Sequence, residues 1–165
     1  MTPPGPVRVE PMDEATFREF VERSVPRRAA KWVERGIWAA DDALKESLQV
    51  YARRLPQGRE TPGCHFFTVV DTLHGTRVGE GWYSAKVEGG KLQVWVEWIL
   101  IEPEQRRKGY ATLVLRQIEE EARKRGADRI GLTVWTDNAS AMALYAKLGY
   151  TPANVNMTKS LAARE

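Results

Sequence analysis

Cysteine and histidine are nearly missing from this chain of 165 residues: Cys64 stands alone, and the only histidines are His65 and His74. A single cysteine excludes an internal disulfide and fits a reducing compartment. Two histidines supply no zinc-site spacing, and no metal is expected. No apolar run approaches the roughly 18 residues that a membrane span needs, so no membrane partner is expected. Residues 1–6 lack the basic start and apolar stretch of a signal peptide. They read as a short, flexible lead-in, and a cytoplasmic protein is the expectation. Internal repeats and low-complexity tracts are absent as well.

What is present is an ordinary globular balance, 42% apolar and 28% charged, which argues against disorder. The length suits a single domain over 1–165, one that buries roughly 70% of the surface its unfolded chain exposes. The net charge of +3 suits nucleic acid or an anionic cofactor equally well. The cations are scattered and 22 acidic residues balance them, so no nucleic-acid partner is expected. Trp32, Trp38 and Trp82 are candidates for lining an apolar pocket and equally for the core.

The periodicity changes along the chain. Residues 7–10 predict a first strand. Asp13 is an N-cap candidate, followed by Phe17, Phe20 and Val21 at helical spacing. A second helix is predicted from Pro26 to Gly36. A third follows Asp41, with Leu44, Leu48, Tyr51 and Leu55 as its apolar stripe. Strands are then expected over 65–72, 77–87 and 92–101, joined by hairpin turns into an antiparallel meander. Gly79 and Gly81 weaken the middle strand or mark a bulge. A long helix over 108–125 ends at Gly126, where a helix C-terminal glycine belongs. A strand over 129–136, a helix over 138–148 and a last strand within 150–160 complete the order. The fold class is mixed α/β: a twisted, mostly antiparallel sheet with helices on both faces.

The segment from Trp98 to Ala111 carries the most chemistry. A buried strand runs into a loop, and the loop opens a helix. Three cations, Arg106, Arg107 and Lys108, stand beside Gly109 and Ala111. A helix N-terminus has unpaired N–H groups and a positive dipole end, which disfavours cations unless an anion joins them. The combination suits a pyrophosphate. No Gly-Lys-Ser/Thr follows and no GxGxxG is present, so neither a Walker A loop nor a dinucleotide fingerprint is at hand. Downstream, Asn138 is an N-cap candidate, and Ala141, Leu144, Tyr145 and Leu148 share a helical face. Tyr145 alone reads equally as a core aromatic.

Together these segments resemble the GNAT N-acetyltransferase superfamily. Arg106-x-x-Gly109-x-Ala111 fits its phosphate motif, and Asn138, Ala141, Leu144, Tyr145, Gly149 and Tyr150 fit its later one. The match covers roughly 95–150. The resemblance implies acetyl-CoA as co-substrate and an amine as acceptor. It implies a splayed strand pair forming the acyl-CoA cleft, with Ile99, Leu100 and Ile101 pairing with the pantetheine arm. It places the pyrophosphate on Arg106, Arg107, Lys108, Gly109, Tyr110, Ala111 and Thr112, the pantetheine arm also on Asn138, and the general acid on Tyr145. Three departures stand out. Arg107 occupies a position that is often glycine. Thr133 stands where some members carry a catalytic glutamate. Only one strand is expected after Tyr150, so the acceptor pocket is completed by the N-terminal helices or by a second subunit; a homodimer is compatible with this.

A direct attack by the amine needs a base, since a free alkylamine has a pKa of about 10. Glu97 is the candidate, two places from Ile99 and by alternation on the same face; a salt bridge or sheet-edge charge is the competing reading. Glu80 and Glu102 are weaker candidates. The rival function is a non-catalytic acyl-CoA-binding sensor module, which would not need Tyr145.

Overall fold

The computed structural model describes residues 6–159 and Leu161. The expected lead-in, Pro6 apart, lies outside the described residues. The chain divides into two compact units, one ending at Thr133 and one beginning at Val134.

In the first unit, β1 (Val7–Pro11) leads to α1 (Glu14–Glu34). Asp13 caps α1 as expected: its Oδ1 accepts from the Thr16 N–H at 2.8 Å. The predicted break at Pro26 does not occur, and one helix runs through it. An interior proline costs roughly 3 kcal/mol. Phe17 and Phe20 before it and Val25 and Ala29 beside it are all buried. At roughly 1.5–3 kcal/mol for each large side chain, that burial outweighs the penalty. Half of the stripe expected on α2 (Ala43–Arg54) forms: Tyr51 and Leu55 pack into the core, whereas Leu44 and Leu48 are about half exposed. Ala43 and Ser47 face inward instead, and the Ser47 hydroxyl donates to the Val25 carbonyl at 2.8 Å. Small residues let α2 approach α1 closely enough for that bond.

After a short turn at Gly58–Glu60 come β2 (Cys64–Asp71), β3 (Thr76–Glu88) and β4 (Lys91–Ile101). The sheet order is β1-β2-β3-β4-β5, with the first four antiparallel and β5 (Arg129–Leu132) parallel to β4. One core joins Met12, Phe17, Phe20, Leu55, Phe66 and Trp82 between α1, α2 and the sheet. α3 (Tyr110–Lys124) buries Val114, Leu115, Ile118 and Ala122. Gln117 ties it to β1, accepting from Val9 N–H at 3.3 Å and donating to the Val7 carbonyl at 2.9 Å. Gly81 is required by close approach: a Cβ there would collide with the Trp98 carbonyl oxygen and the Phe67 ring.

The second unit holds α4 (Ala139–Lys147). The strand expected within 150–160 is not formed: the described residues 151–159 lie outside any strand, and all are exposed. With no face of that segment buried, alternation alone does not hold it extended. No described helix is long and apolar enough to cross a membrane.

Candidate active site

The sheet opens at β4. Trp82 faces Trp98 across the ladder, whereas the next residue, Tyr83, faces Val96. Glu97 is therefore the extra residue of a β-bulge, a device that bends a strand and increases its twist. β5 pairs with β4 only as far as Val96 opposite Leu132. This is why β5 stops short of the predicted residue 136. Past the bulge, β4 keeps β3 on one side and has no described strand on the other.

Alternation decides which main-chain groups face that open edge. The carbonyl oxygens of Trp98 and Leu100 press against Gly81 and Gly79 of β3, and the Glu102 N–H donates to Val78 at 3.0 Å. Ile99 and Ile101 therefore turn their main-chain groups outward. Leu100, expected to share that role, has its main chain directed at β3.

The loop after β4 is built to expose donors. Arg106 folds back, its Nε donating to the Ile101 carbonyl at 3.0 Å. Lys108 Nζ donates to Gln105 at 2.8 Å. Arg107 has φ 64°, the one non-glycine among the described residues in the left-handed region, and Gly109, the N-cap of α3, has φ 88°. No side chain caps α3, and its first bond runs from Leu113 N–H to the Gly109 carbonyl at 3.2 Å. The N–H groups of residues 107–112 thus have no acceptor among the described residues. They cluster at the positive end of a helix dipole, the arrangement that binds phosphates. Ala111 and Thr112 lie half-buried in that first turn. The Tyr110 side chain points away from the loop, donating to buried Asp71 at 2.6 Å. Tyr110 together with His74, whose Nδ1 lies 2.9 Å from the same oxygen, holds the Asp71 carboxyl well below the usual carboxylate range.

Glu97 is not on the face of Ile99. The bulge interrupts the alternation, so Glu97 and Trp98 both turn toward α1 and α2. Trp98 packs on the Phe66–Trp82 core, and Glu97, its side chain 7% exposed, pairs with Arg54 of α2. Its other oxygen accepts from Ser84 at 2.8 Å. A narrow crevice of about 10 Å³ lies here, lined by Arg28, Tyr51, Arg54, Trp82, Glu97 and Trp98. Burial pushes the Tyr51 phenol up and the Arg28 guanidinium down. Glu80, by contrast, is fully buried and held by Arg23 at 2.7 Å and by Arg77. These arginines lie on segments that sequence reading scanned for apolar periodicity, and they carry no motif of their own.

In the second unit, Asn138 caps α4, its Oδ1 accepting from Ala141 N–H at 3.3 Å. Tyr145 lies half-buried with its ring 5.7 Å from that of Tyr150, and burial raises its phenol. A cavity of about 620 Å³ lies elsewhere in the first unit, between β1–β3 and the second half of α3. None of the sequence-predicted site residues lines it. There His65 Nε2 accepts from Arg125 at 2.8 Å, and burial followed by that guanidinium's charge lowers its pKa.

The sequence model of the acetyltransferase (GNAT) family matches residues 25–150. The uncharacterized N-acetyltransferase YdgE of Bacillus subtilis is 32% identical over 93% of this chain and 97% of its own. The uncharacterized N-acetyltransferase YycN of the same organism is 31% identical over 94% of this chain and 99% of its own. The crystal structure of YycN aligns with a TM-score of 0.87 at 29% identity, covering 95% of this chain and 99% of that one. An acetyltransferase-fold structure from Pyrococcus furiosus, 19% identical, shares the fold with a TM-score of 0.68, covering 94% of this chain and 99% of that one. The chain belongs to the GNAT acetyltransferase family. It is an N-acetyltransferase.

Proposed function

We propose that this chain moves the acetyl group of acetyl-CoA to a primary amine by direct attack. The observation that carries the reading is the run of uncommitted N–H groups over residues 107–112, in the loop that follows the open edge of β4. In this reading Arg106, Arg107, Lys108, Gly109, Tyr110, Ala111 and Thr112 hold the pyrophosphate, Tyr110 through its main chain alone. Ile99 and Ile101 pair with the pantetheine arm. Asn138 spends its carbonyl oxygen on the α4 cap, so its amide nitrogen is the group that serves the arm.

Acetyl-CoA supplies the activated acyl group and a thiolate leaving group. Glu97 takes the proton of the incoming ammonium once the amine displaces Arg54 from its carboxylate. The amine nitrogen then bonds to the thioester carbon, and the Ile101 N–H steadies the oxyanion. As the carbon–sulfur bond breaks, Tyr145 gives its proton to the sulfur, and the second proton lost by the attacking nitrogen passes through solvent to restore the phenol. Its raised pKa keeps that proton in place at neutral pH.

Thermal unfolding with acetyl-CoA, and with ADP as a phosphate-bearing control, tests the cofactor. Ligand at about 100 times its Kd stabilises by about 2.7 kcal/mol. At roughly 2–4 °C per kcal/mol for a domain of this size, the expected rise is several degrees, larger for acetyl-CoA than for ADP. No shift at saturating ligand removes the phosphate-loop assignment and the enzyme reading with it. A shift without thiol release for any amine supports a binding module instead.

A further inference from the structure

Two buried donors in the crevice beside Glu97 have nothing to donate to. Arg28 Nε and Trp98 Nε1 are both shielded from solvent and lack a hydrogen-bond acceptor, and both residues line the same narrow space. An unsatisfied buried donor costs free energy that a bound acceptor atom restores. Three further facts sharpen the chemistry. Arg28 sets its guanidinium carbon over Trp32, 4.8 Å from the ring centroid, and 5.9 Å from that of Trp38. A guanidinium offers planar N–H donors that match a carboxylate. The neighbouring carboxylate is already committed, since Glu97 bonds Arg54 and Ser84. Burial also weakens the Arg28 cation's hold on its proton, so a second anion close by would favour the charged form.

Resting on the acetyl-transfer reading above, we infer that the acceptor is an amine that also carries a carboxylate, in chemical class a free amino acid. The carboxylate binds Arg28 and Trp98 while the amine nitrogen meets Glu97. The crevice admits little more than one oxygen atom, so the carboxylate enters by one oxygen. Glu97 lines the same crevice as Arg28 and Trp98, so the nitrogen stays outside that one-atom space, only a few bonds from the carboxylate.

The test uses matched probes: the proteinogenic L-amino acids and their α-carboxamides, with acetyl-CoA, followed by thiol release. The carboxamides keep the side chain, lose the negative charge and carry a less basic amine, so each variant is judged by its change in the acid-to-carboxamide ratio relative to the native protein. For at least one amino acid, kcat/KM is expected to exceed that of its carboxamide by about tenfold or more, the worth of one charge-assisted bond. Arg28→Met collapses that ratio toward one, chiefly by raising KM for the acid. Trp98→Phe, which keeps the ring and removes the N–H, lowers the ratio less. Arg28→Lys retains charge without the planar edge and also lowers it, which covers the case in which Arg28→Met does not fold. Carboxamides used as well as acids, a ratio that ignores all three variants, or turnover confined to amines without a carboxylate overturns the inference. If acetyl-CoA still raises the melting temperature in those cases, only the acceptor class falls. If acetyl-CoA raises nothing, the acetyl-transfer reading falls first.

Discussion

Tyr110 shows how a motif residue can serve the fold from inside the motif. It sits in the loop assigned to the pyrophosphate, yet its hydroxyl donates to Asp71 on the β2–β3 hairpin. That bond, with His74, lowers the folded-state pKa of Asp71. The unfolded value is about 3.9. A depressed carboxyl contributes stability that is fully present above the unfolded pKa and is lost as pH falls toward the folded one. The melting temperature of the native protein should therefore drop as pH is lowered below about 4. In Tyr110→Phe it should start lower at neutral pH, and its acid slope should be shallower. Parallel melting curves for the two proteins would mean that the Asp71 contact contributes nothing. The loop position of Tyr110 was legible in sequence, because the phosphate motif is local. Asp71 was not, because its partnership spans 39 residues and leaves no spacing to recognise. Glu97 was legible as a buried carboxylate on the core strand but was put on the wrong face, since alternation does not reveal a bulge. Arg28, Arg54 and Trp98 were missed as a group for the same reason: only the folded sheet and helices bring them together.

At the scale of elements, period was a good guide wherever one face of a strand or helix meets a core. The strands from β2 to β4, the cap at Asp13 and the end of α3 before Gly126 follow from pattern alone. It failed where packing overruled local preference, at Pro26 inside α1 and on α2, where Ala43 and Ser47 rather than Leu44 and Leu48 turn inward. The loop between β4 and α3 yields a sharper lesson. The family resemblance implies a glycine at position 107, and a left-handed backbone at φ 64° accounts for that preference. A residue with a Cβ pays roughly 1–2 kcal/mol there. Part of that cost is offset by the smaller unfolded-state entropy of arginine. Arg107→Gly should therefore raise stability by about 0.5–1 kcal/mol, read as a higher denaturation midpoint with an unchanged m-value. Since the loop offers main-chain N–H groups, acetyl-CoA should still raise the melting temperature of this variant. A lower midpoint would show that the arginine side chain stabilises the loop more than its backbone strains it.

The proposed reaction draws on a donor-lined loop in the first unit and on a tyrosine in the second, and the two make separable contributions to it. Holding the pyrophosphate and pantetheine lowers the free energy of the bound state and is read by thermal stabilisation. Protonating the thiolate acts only as the carbon–sulfur bond breaks and is read by kcat. An interaction made only in the transition state lowers kcat when removed and leaves ground-state binding alone. Tyr145→Phe deletes one oxygen from a half-buried ring packed by Tyr150, whose contact the phenylalanine ring keeps. The acetyl-CoA-induced melting shift should therefore match that of the native protein, while kcat falls by about 10²- to 10⁴-fold, the usual range for a positioned acid. Burial raises the Tyr145 phenol, so the native enzyme should lose activity on the alkaline side only above about pH 10, the ordinary phenol value. That alkaline limb should be missing from the residual activity of the variant. Equal kcat in the two proteins would move the proton donor to another group, and a lost melting shift would make Tyr145 a binding residue.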